Sequence, residues 1–275
     1  ILLTLPVVID RLVTGRISMA DQNDIERLGR RGRRLKDLRK RVKSRRHGEV
    51  IIDGRRLVSD LVRWGVPIRE LYLVPEISGE FEALGWRDAA ETVFELESSV
   101  LADIAPTKNP QGVLAVAEEP EWPSWSADGG IALWLDRIQA PGNVGAIVRS
   151  AAGLGAESVL LSPGCADPYG AATVRGAAGA VFRIPVERDV RASEAIDRVK
   201  SAGGDVWATD SRGQKIDGWA PSEPCLLLIG AEGAGLSPEV AELADGTVAI
   251  PMSRGVESLN VAVAVGVLLN HARNS

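Results

Sequence analysis

The chain has 275 residues, 45% of them hydrophobic, and a formal net charge of −5. That is enough apolar sequence for one large or two modest globular domains, and it excludes a disordered or fibrous chain. Cys165 and Cys225 lie in or near apolar stretches, and His47 and His271 belong to no cluster with metal-ligand spacing. The reading is buried free thiols in a cytoplasmic protein without a zinc site.

Ile1 to Ile9 form an apolar run too short to span a bilayer. The run lacks the basic flank and small-residue cleavage site of a leader, so no membrane association is expected, and its role stays open. Asp21 to Asn23 are placed to cap a helix predicted over Asp24 to Lys43, with Leu28, Leu35, Leu38 and Val42 as a thin apolar stripe. The same segment is strongly basic. Arg30, Arg31, Arg33, Arg34, Lys36, Arg39, Lys40, Arg41, Lys43 and Arg45 lie between Arg27 and Arg46, with Asp37 as the one acid among them. Such a block attracts phosphates even on an acidic chain, because charge is screened over about 10 Å. A solvated helix face is the alternative.

A compact α/β unit follows. A strand is predicted at Glu49 to Asp53, a turn at Asp53-Gly54, and a helix from Arg55 to Trp64 ended by Gly65. Strands at Ile68 to Val74, Thr92 to Leu96 and Gly112 to Ala117 alternate with short helices at Glu80 to Gly85 and Ser98 to Ile104. The acidic, proline-bearing stretch from Glu118 to Gly129 reads as a flexible linker. Beyond it the pattern becomes strand, loop, helix, repeated. Strands are predicted at Ile131 to Leu135, Ser158 to Leu161, Val181 to Pro185, Asp205 to Thr209, Cys225 to Ile229 and Thr247 to Ile250. Helices are predicted at Asn143 to Leu154, Ala171 to Ala178, Ala192 to Lys200 and Leu259 to Ala272. Continuous apolar strands between helices imply a largely parallel sheet covered on both faces, with ligands beyond the carboxyl ends of its strands. The expected organisation is a basic N-terminal extension (1–45), a small α/β domain (46–118), a linker (119–129) and a larger α/β domain (130–275).

Three segments after buried strands concentrate glycine and polar residues. The first, Leu135 to Ser150, holds Asn143, Gly145 and Arg149; the helix register puts Gly145 and Arg149 on one face with Asn143 at its mouth. An arginine on a helix of Gly, Ala, Ile and Val is either a salt bridge at a domain edge or an anchor for a phosphate or a reacting oxygen. The second, Leu228 to Ser237, contains Gly230, Glu232, Gly233 and Gly235, which permit close approach of backbone to a ligand. Neither a dinucleotide fingerprint nor a phosphate-loop lysine is present. The third, Ile250 to Val261, includes Pro251, Ser258, Leu259 and Asn260, with Ser258 at a natural N-cap position.

Together these segments resemble the SpoU/TrmH family of RNA 2′-O-ribose methyltransferases, in the SPOUT superfamily. The matching residues are Asn143, Gly145 and Arg149; Gly230, Glu232 and Gly235; and Ile250, Pro251 and Ser258 to Val261. The resemblance is strong over residues 130 to 272 and looser over 46 to 118, which are similar to the family's small, ribosomal-protein-like substrate-binding domain. It implies an α/β fold with a deep trefoil knot at the C-terminal side, an obligate homodimer and S-adenosylmethionine as cofactor. By the resemblance, backbone around Thr209, Gly230, Ile250 and Leu259, with Gly235, binds the cofactor. Arg149 acts at the ribose and phosphate, completed by the partner subunit, while Asn143, Glu232, Ser258 and Asn260 orient the reacting groups. Arginine is a poor base because its pKa is so high, so a phosphate-assisted deprotonation or a perturbed arginine is required. No metal is required.

Arg30, Arg34, Arg41, Arg45, Arg46 and Arg175 are the expected contacts to RNA. Three departures from the family pattern stand at the pocket edge: Ala177 and Ala262 where serines are common, and the added charge of Arg254. A separate N-terminal domain resembles the ribosomal-RNA branch, so methylation of ribosomal RNA, 23S in particular, is the leading expectation. A transfer-RNA 2′-O-methyltransferase and a non-catalytic RNA-binding or ribosome-assembly protein are the rivals; a nucleotide-dependent dehydrogenase lacks its fingerprint.

Overall fold

A computed structural model describes residues 25–274. The apolar run Ile1 to Ile9 and the cap Asp21 to Asn23 lie outside the described residues. Two α/β units follow each other along the chain. The first comprises β1 (Glu26–Arg27), α1 (Arg33–Lys43), β2 (Glu49–Asp53), α2 (Arg55–Trp64), β3 (Ile68–Leu73), α3 (Ser78–Ala83), α4 (Trp86–Ala89), β4 (Ala90–Glu95), α5 (Ser98–Ile104) and β5 (Val113–Glu118). The second comprises β6 (Ile131–Leu135), α6 (Pro141–Gly153), β7 (Ser158–Leu161), α7 (Ala171–Gly176), β8 (Val186–Glu187), α8 (Ala192–Ser201), β9 (Asp205–Lys215), β10 (Cys225–Ile229), α9 (Pro238–Ala241), β11 (Gly246–Ala249) and α10 (Val261–Asn274).

The first sheet is mixed, in the order β1-β4-β3-β5-β2, with β5 antiparallel to both β2 and β3. The second has six strands in the order β11-β9-β10-β6-β7-β8, every pair parallel. Its central strands are apolar on both faces because each face carries helices. Along β10, Cys225, Leu227 and Ile229 join the core that includes α6 and α10, while Leu226 and Leu228 join a second core with Ile196 and Val199 of α8. The period of two along a strand divides one hydrophobic run between two layers.

Four expectations need correction. The basic segment is helical only from Arg33; Glu26–Arg27 instead add a short parallel strand to β4, and Gly29 and Gly32 lie in the turn that separates strand from helix. The predicted strand Val181 to Pro185 is a single 3-10 turn at Ala180–Phe182, after Gly179 at φ +79°, and β8 begins only at Val186. An apolar run buried by a turn looks the same in sequence as one buried by a strand. The segment after Glu118 has no regular structure but is packed against the second domain. Glu119 receives hydrogen bonds from Arg45 and Arg188, the Trp125 amide donates to Glu187, and Trp125 and Ala127 are buried against the second core. Finally, β9 runs on to Lys215, because β11 pairs with Gln214 and Lys215 as well as with Trp207 and Ala208.

Two arginines of the basic block are structural. The Arg41 side chain is 4% exposed; it lies 2.5 Å from Glu70, 3.1 Å from Asp37 and 3.5 Å from Glu49. Arg45 crosses between the domains, donating to Asp167 at 2.8 and 3.1 Å and to Glu119 at 2.5 Å. Both guanidinium pKa values are raised: burial works against the charge but the carboxylates outweigh it. The domains also meet at Gly179, where a Cβ would lie 2.6 Å from Leu57 and 3.0 Å from Trp64. Arg41→Ala would strand Glu49 without its cation and leave Glu70 with only the more distant Arg34, at 3.9 Å. We expect it to cost about 3–5 kcal/mol in urea unfolding, whereas Lys40→Ala, on the exposed side of α1, should stay within about 0.5 kcal/mol. Equal effects would refute the division of the block into buried and exposed halves.

Candidate active site

The loops after β6, β10 and β11 all leave the carboxyl ends of parallel strands, the usual place for a ligand in such a sheet. Asn260, the residue before α10, joins them. Its Oδ1 accepts from the Ala262 amide at 3.0 Å, and its carbonyl accepts from the Ala264 amide at 3.0 Å. Asn260 is therefore the N-cap, in place of Ser258 two residues earlier. With Oδ1 committed, the Asn260 Nδ2 donates to Glu232 Oε1 at 2.7 Å and to Asn143 Oδ1 at 3.1 Å. The Val261 amide donates to the same Glu232 oxygen at 3.4 Å, so the carboxylate faces the amino end of the 14-residue helix α10, where negative charge is favoured.

The loop carrying Glu232 is held by reciprocal backbone hydrogen bonds between Ala231 and Gly235, at 3.2 and 2.8 Å. Two of its glycines are obligatory for different reasons. Gly235 sits at φ +68°, and a Cβ on Gly230 would lie 2.2 Å from the Gly235 carbonyl carbon and 2.3 Å from the Leu236 nitrogen. Behind this loop opens a cavity of about 990 Å³, lined among others by Thr209, Gly230, Glu232, Gly235, Ser258 and Leu259. The Thr209 hydroxyl donates to the Leu228 carbonyl at 3.0 Å and ties the wall together. Ile250 is not part of the lining; it packs half-buried against the core. Sequence reasoning missed Asp210 and Arg212 on this wall, a pair 3.0 Å apart in which Arg212 holds the Asp210 carboxyl below its usual range. An acid directly beyond the buried part of a strand was the available signal.

Arg149 stands apart from that cavity. Gly145 faces α7 so closely that a Cβ would meet the Thr173 carbonyl oxygen at 2.4 Å. One turn further along α6, Arg149 is exposed and lines a second cavity of about 290 Å³ between the two domains, together with Arg175. Among the described residues Arg149 has no hydrogen-bond or ion-pair partner, so the domain-edge salt bridge is not formed. The three sequence segments thus bring Asn143, Glu232 and Asn260 into contact and place Ser258 on the same cavity, while Arg149 projects from the neighbouring face.

The other expected RNA contacts are differently placed. Arg30 is bonded to Glu97 and Ser99, Arg34 lies 4.4 Å above the Phe94 ring, and Arg46 is paired with Asp37. Arg41 and Arg45 are inside the protein. The cations that α1 leaves exposed and without an ion pair among the described residues are Arg33, Lys36, Lys40 and Lys43. Among the described residues no group of three His, Cys, Asp or Glu side chains could hold a metal, and no helix is long and apolar enough to cross a membrane.

Comparison with known proteins agrees with this geometry. Residues 130–270 match the SpoU rRNA Methylase family, and residues 31–115 match the MRM3-like substrate binding domain. The chain is 31% identical to an uncharacterized tRNA/rRNA methyltransferase of Synechocystis, covering 88% of this chain and 89% of that one. It is 31% identical to the 23S rRNA (guanosine(2553)-2′-O)-methyltransferase of Bacillus subtilis, over 81% of this chain and 88% of the relative. Among solved structures, the AdoMet-bound rRNA methyltransferase of Sinorhizobium meliloti superimposes with a TM-score of 0.79 at 29% identity, covering 91% of this chain and 98% of that one. With its cavity-lining glycine loop, its Asn143–Asn260–Glu232 junction and a family match across the whole second domain, the chain belongs to the SpoU rRNA methylase family.

Proposed function

We propose that this chain transfers the methyl group of S-adenosylmethionine to a ribose 2′-hydroxyl of ribosomal RNA, in the 23S molecule. The observation that carries the reading is the Asn260 junction, which holds Glu232 on the wall of the glycine-lined cavity. The cavity fits the cofactor: its volume is at the upper end of the range of small-molecule sites, about 300–1,000 Å³, and bare backbone at Gly230 and Gly235 lets a ligand approach the main chain. Thr209, Gly230, Gly235 and Leu259 would hold the cofactor, which supplies an electrophilic methyl group when bound. A relative and a solved structure that act on ribosomal RNA by name, and the substrate-binding domain, favour ribosomal over transfer RNA.

The roles of the chain's own groups follow from their positions. Asn260 spends both amide hydrogens on Glu232 and Asn143, which leaves Glu232 Oε2 and the Asn143 amide nitrogen without partners among the described residues. These groups orient the ribose. Arg149 is a cation for the phosphate beside it, orienting that phosphate so that its oxygen takes the proton of the 2′-hydroxyl. Because Arg149 lies outside the cofactor cavity of its own chain, the full site is built in a homodimer. The exposed apolar edge of α10, with Val263 at 53% and Val267 at 38% exposure, is the face that a second copy would cover. A trefoil knot in the C-terminal region belongs to the same proposal. It is supported by the return of α10 from the edge strand β11 to pack on α6. Arg33, Lys36, Lys40 and Lys43 extend the contact to the RNA backbone, and the compartment is the cytoplasm.

Two outcomes are expected. With labelled S-adenosylmethionine, methyl should appear in deproteinised 23S RNA and not in total transfer RNA, and Arg149→Ala should lower kcat by about 100-fold or more. Label in transfer RNA alone would move the substrate to that class, and no transfer to either would leave an RNA-binding protein. Gly230→Ala should weaken S-adenosylmethionine binding at least about tenfold in calorimetry, since a backbone neighbour at 2.2 Å cannot give way; unchanged affinity would place the cofactor elsewhere.

A further inference from the structure

The interdomain cavity is a second polar site, distinct from the glycine-lined one. Two guanidinium groups reach it from the catalytic domain, Arg149 from α6 and Arg175 from α7. Both are exposed, neither has a carboxylate within ion-pair distance among the described residues, and Arg175 makes only a 3.4 Å bond to its own helix at Ala171. Cations left unpaired in a shared concavity attract an anion.

The opposite wall belongs to the substrate-binding domain. It presents Asp53, Thr107, Asn109 and Gln111. The Thr107 hydroxyl donates to Asp53 Oδ2, and Asp53 Oδ1 is buried with no donor. Burial pushes the Asp53 carboxyl up despite the bond from Thr107 and the nearby charge of Arg175. An orphaned buried acceptor is unfavourable until a donor arrives. Gln111 is locked in place: its Oε1 accepts from the Arg55 amide at 3.0 Å and its carbonyl accepts from the Arg55 guanidinium at 2.8 Å, which leaves its amide hydrogens free. One wall is therefore cationic, and the other offers the mixed donors and acceptors that match a base edge.

We propose that this cleft is a nucleotide subsite of the RNA substrate, in which Arg149 and Arg175 clasp a phosphodiester while Asp53, Asn109 and Gln111 read the edge of the attached base. The proposal rests on the methyl-transfer reading for its placement next to the reacting ribose. The cavity volume of about 290 Å³ suits one nucleotide and not a stacked pair. The carboxylate favours a base with N–H donors on its Watson–Crick edge and disfavours one that presents carbonyl oxygens there. The substrate-binding domain thus supplies base selection, and the catalytic domain supplies register.

The test uses the full-length protein and deproteinised 23S RNA, with Arg175→Ala, Arg175→Lys and Asn109→Asp. Filter binding over a range of salt gives the affinity and its salt slope; methyl transfer gives KM and kcat; calorimetry gives S-adenosylmethionine affinity. Arg175→Ala should raise KM for RNA about tenfold and reduce the salt slope by about one. kcat should stay within about threefold, and cofactor affinity should be unchanged. Arg175→Lys should restore the slope, which repair of a merely structural defect would not do. Asn109→Asp should weaken RNA binding at an unchanged slope. Unaltered KM and RNA affinity in both Arg175→Ala and Asn109→Asp would overturn the subsite. If the wild type binds RNA but transfers no methyl group, the methyl-transfer reading fails, and the filter-binding arm still decides the cleft.

Discussion

The side chain of Asn260 is where three distant stretches of chain become one site. Its oxygen is committed to capping α10, so its nitrogen points outward and reaches Glu232 and Asn143. A carboxamide has one acceptor and two donor hydrogens, and here each has a use. The loops after β6, β10 and β11 are thereby held in one arrangement by a single planar group. Aspartate in that position could cap the helix but could not donate to Glu232.

That junction depends on a sheet whose strands all point the same way. Parallel strands deliver their following loops to one edge, so the polar residues after each strand meet without long excursions of chain. The close approaches at Gly145 and Gly230 come from the same packing. One seats α6 on α7, and the other lets the Glu232 loop fold back on itself. The small residues in these motifs therefore set distances, and the polar residues among them are joined by hydrogen bonds.

Charges bridge the two domains. Arg45 and Arg188 share Glu119 and Asp167 across the linker, and Gly179 rests against Leu57 and Trp64. In the cleft above this contact Arg149 and Arg175 face the substrate-binding domain.

Much of this was legible in the sequence. Continuous apolar runs, the glycine that ends α2 and the polar clusters after strands locate β6, β10 and α2 to the residue, together with the motif residues Asn143, Glu232 and Asn260. These features are local, and local stereochemistry governs them. The partners of charges were not legible. Arg41 and Arg45 look like their neighbours Lys40 and Lys43 in a list of residues, yet two are buried among carboxylates and two face water. Burial of a charge depends on Glu49, Glu70, Glu119 and Asp167, which other segments supply, so no window of sequence contains the answer. The same reason hid the interdomain cleft: Asp53, Asn109 and Arg175 are ordinary surface residues until the fold sets them across one cavity. Sequence determined most of the elements that form and the polar residues that meet beside the cavity. Tertiary structure alone decided which charges are spent holding the protein together and which remain free to meet a substrate.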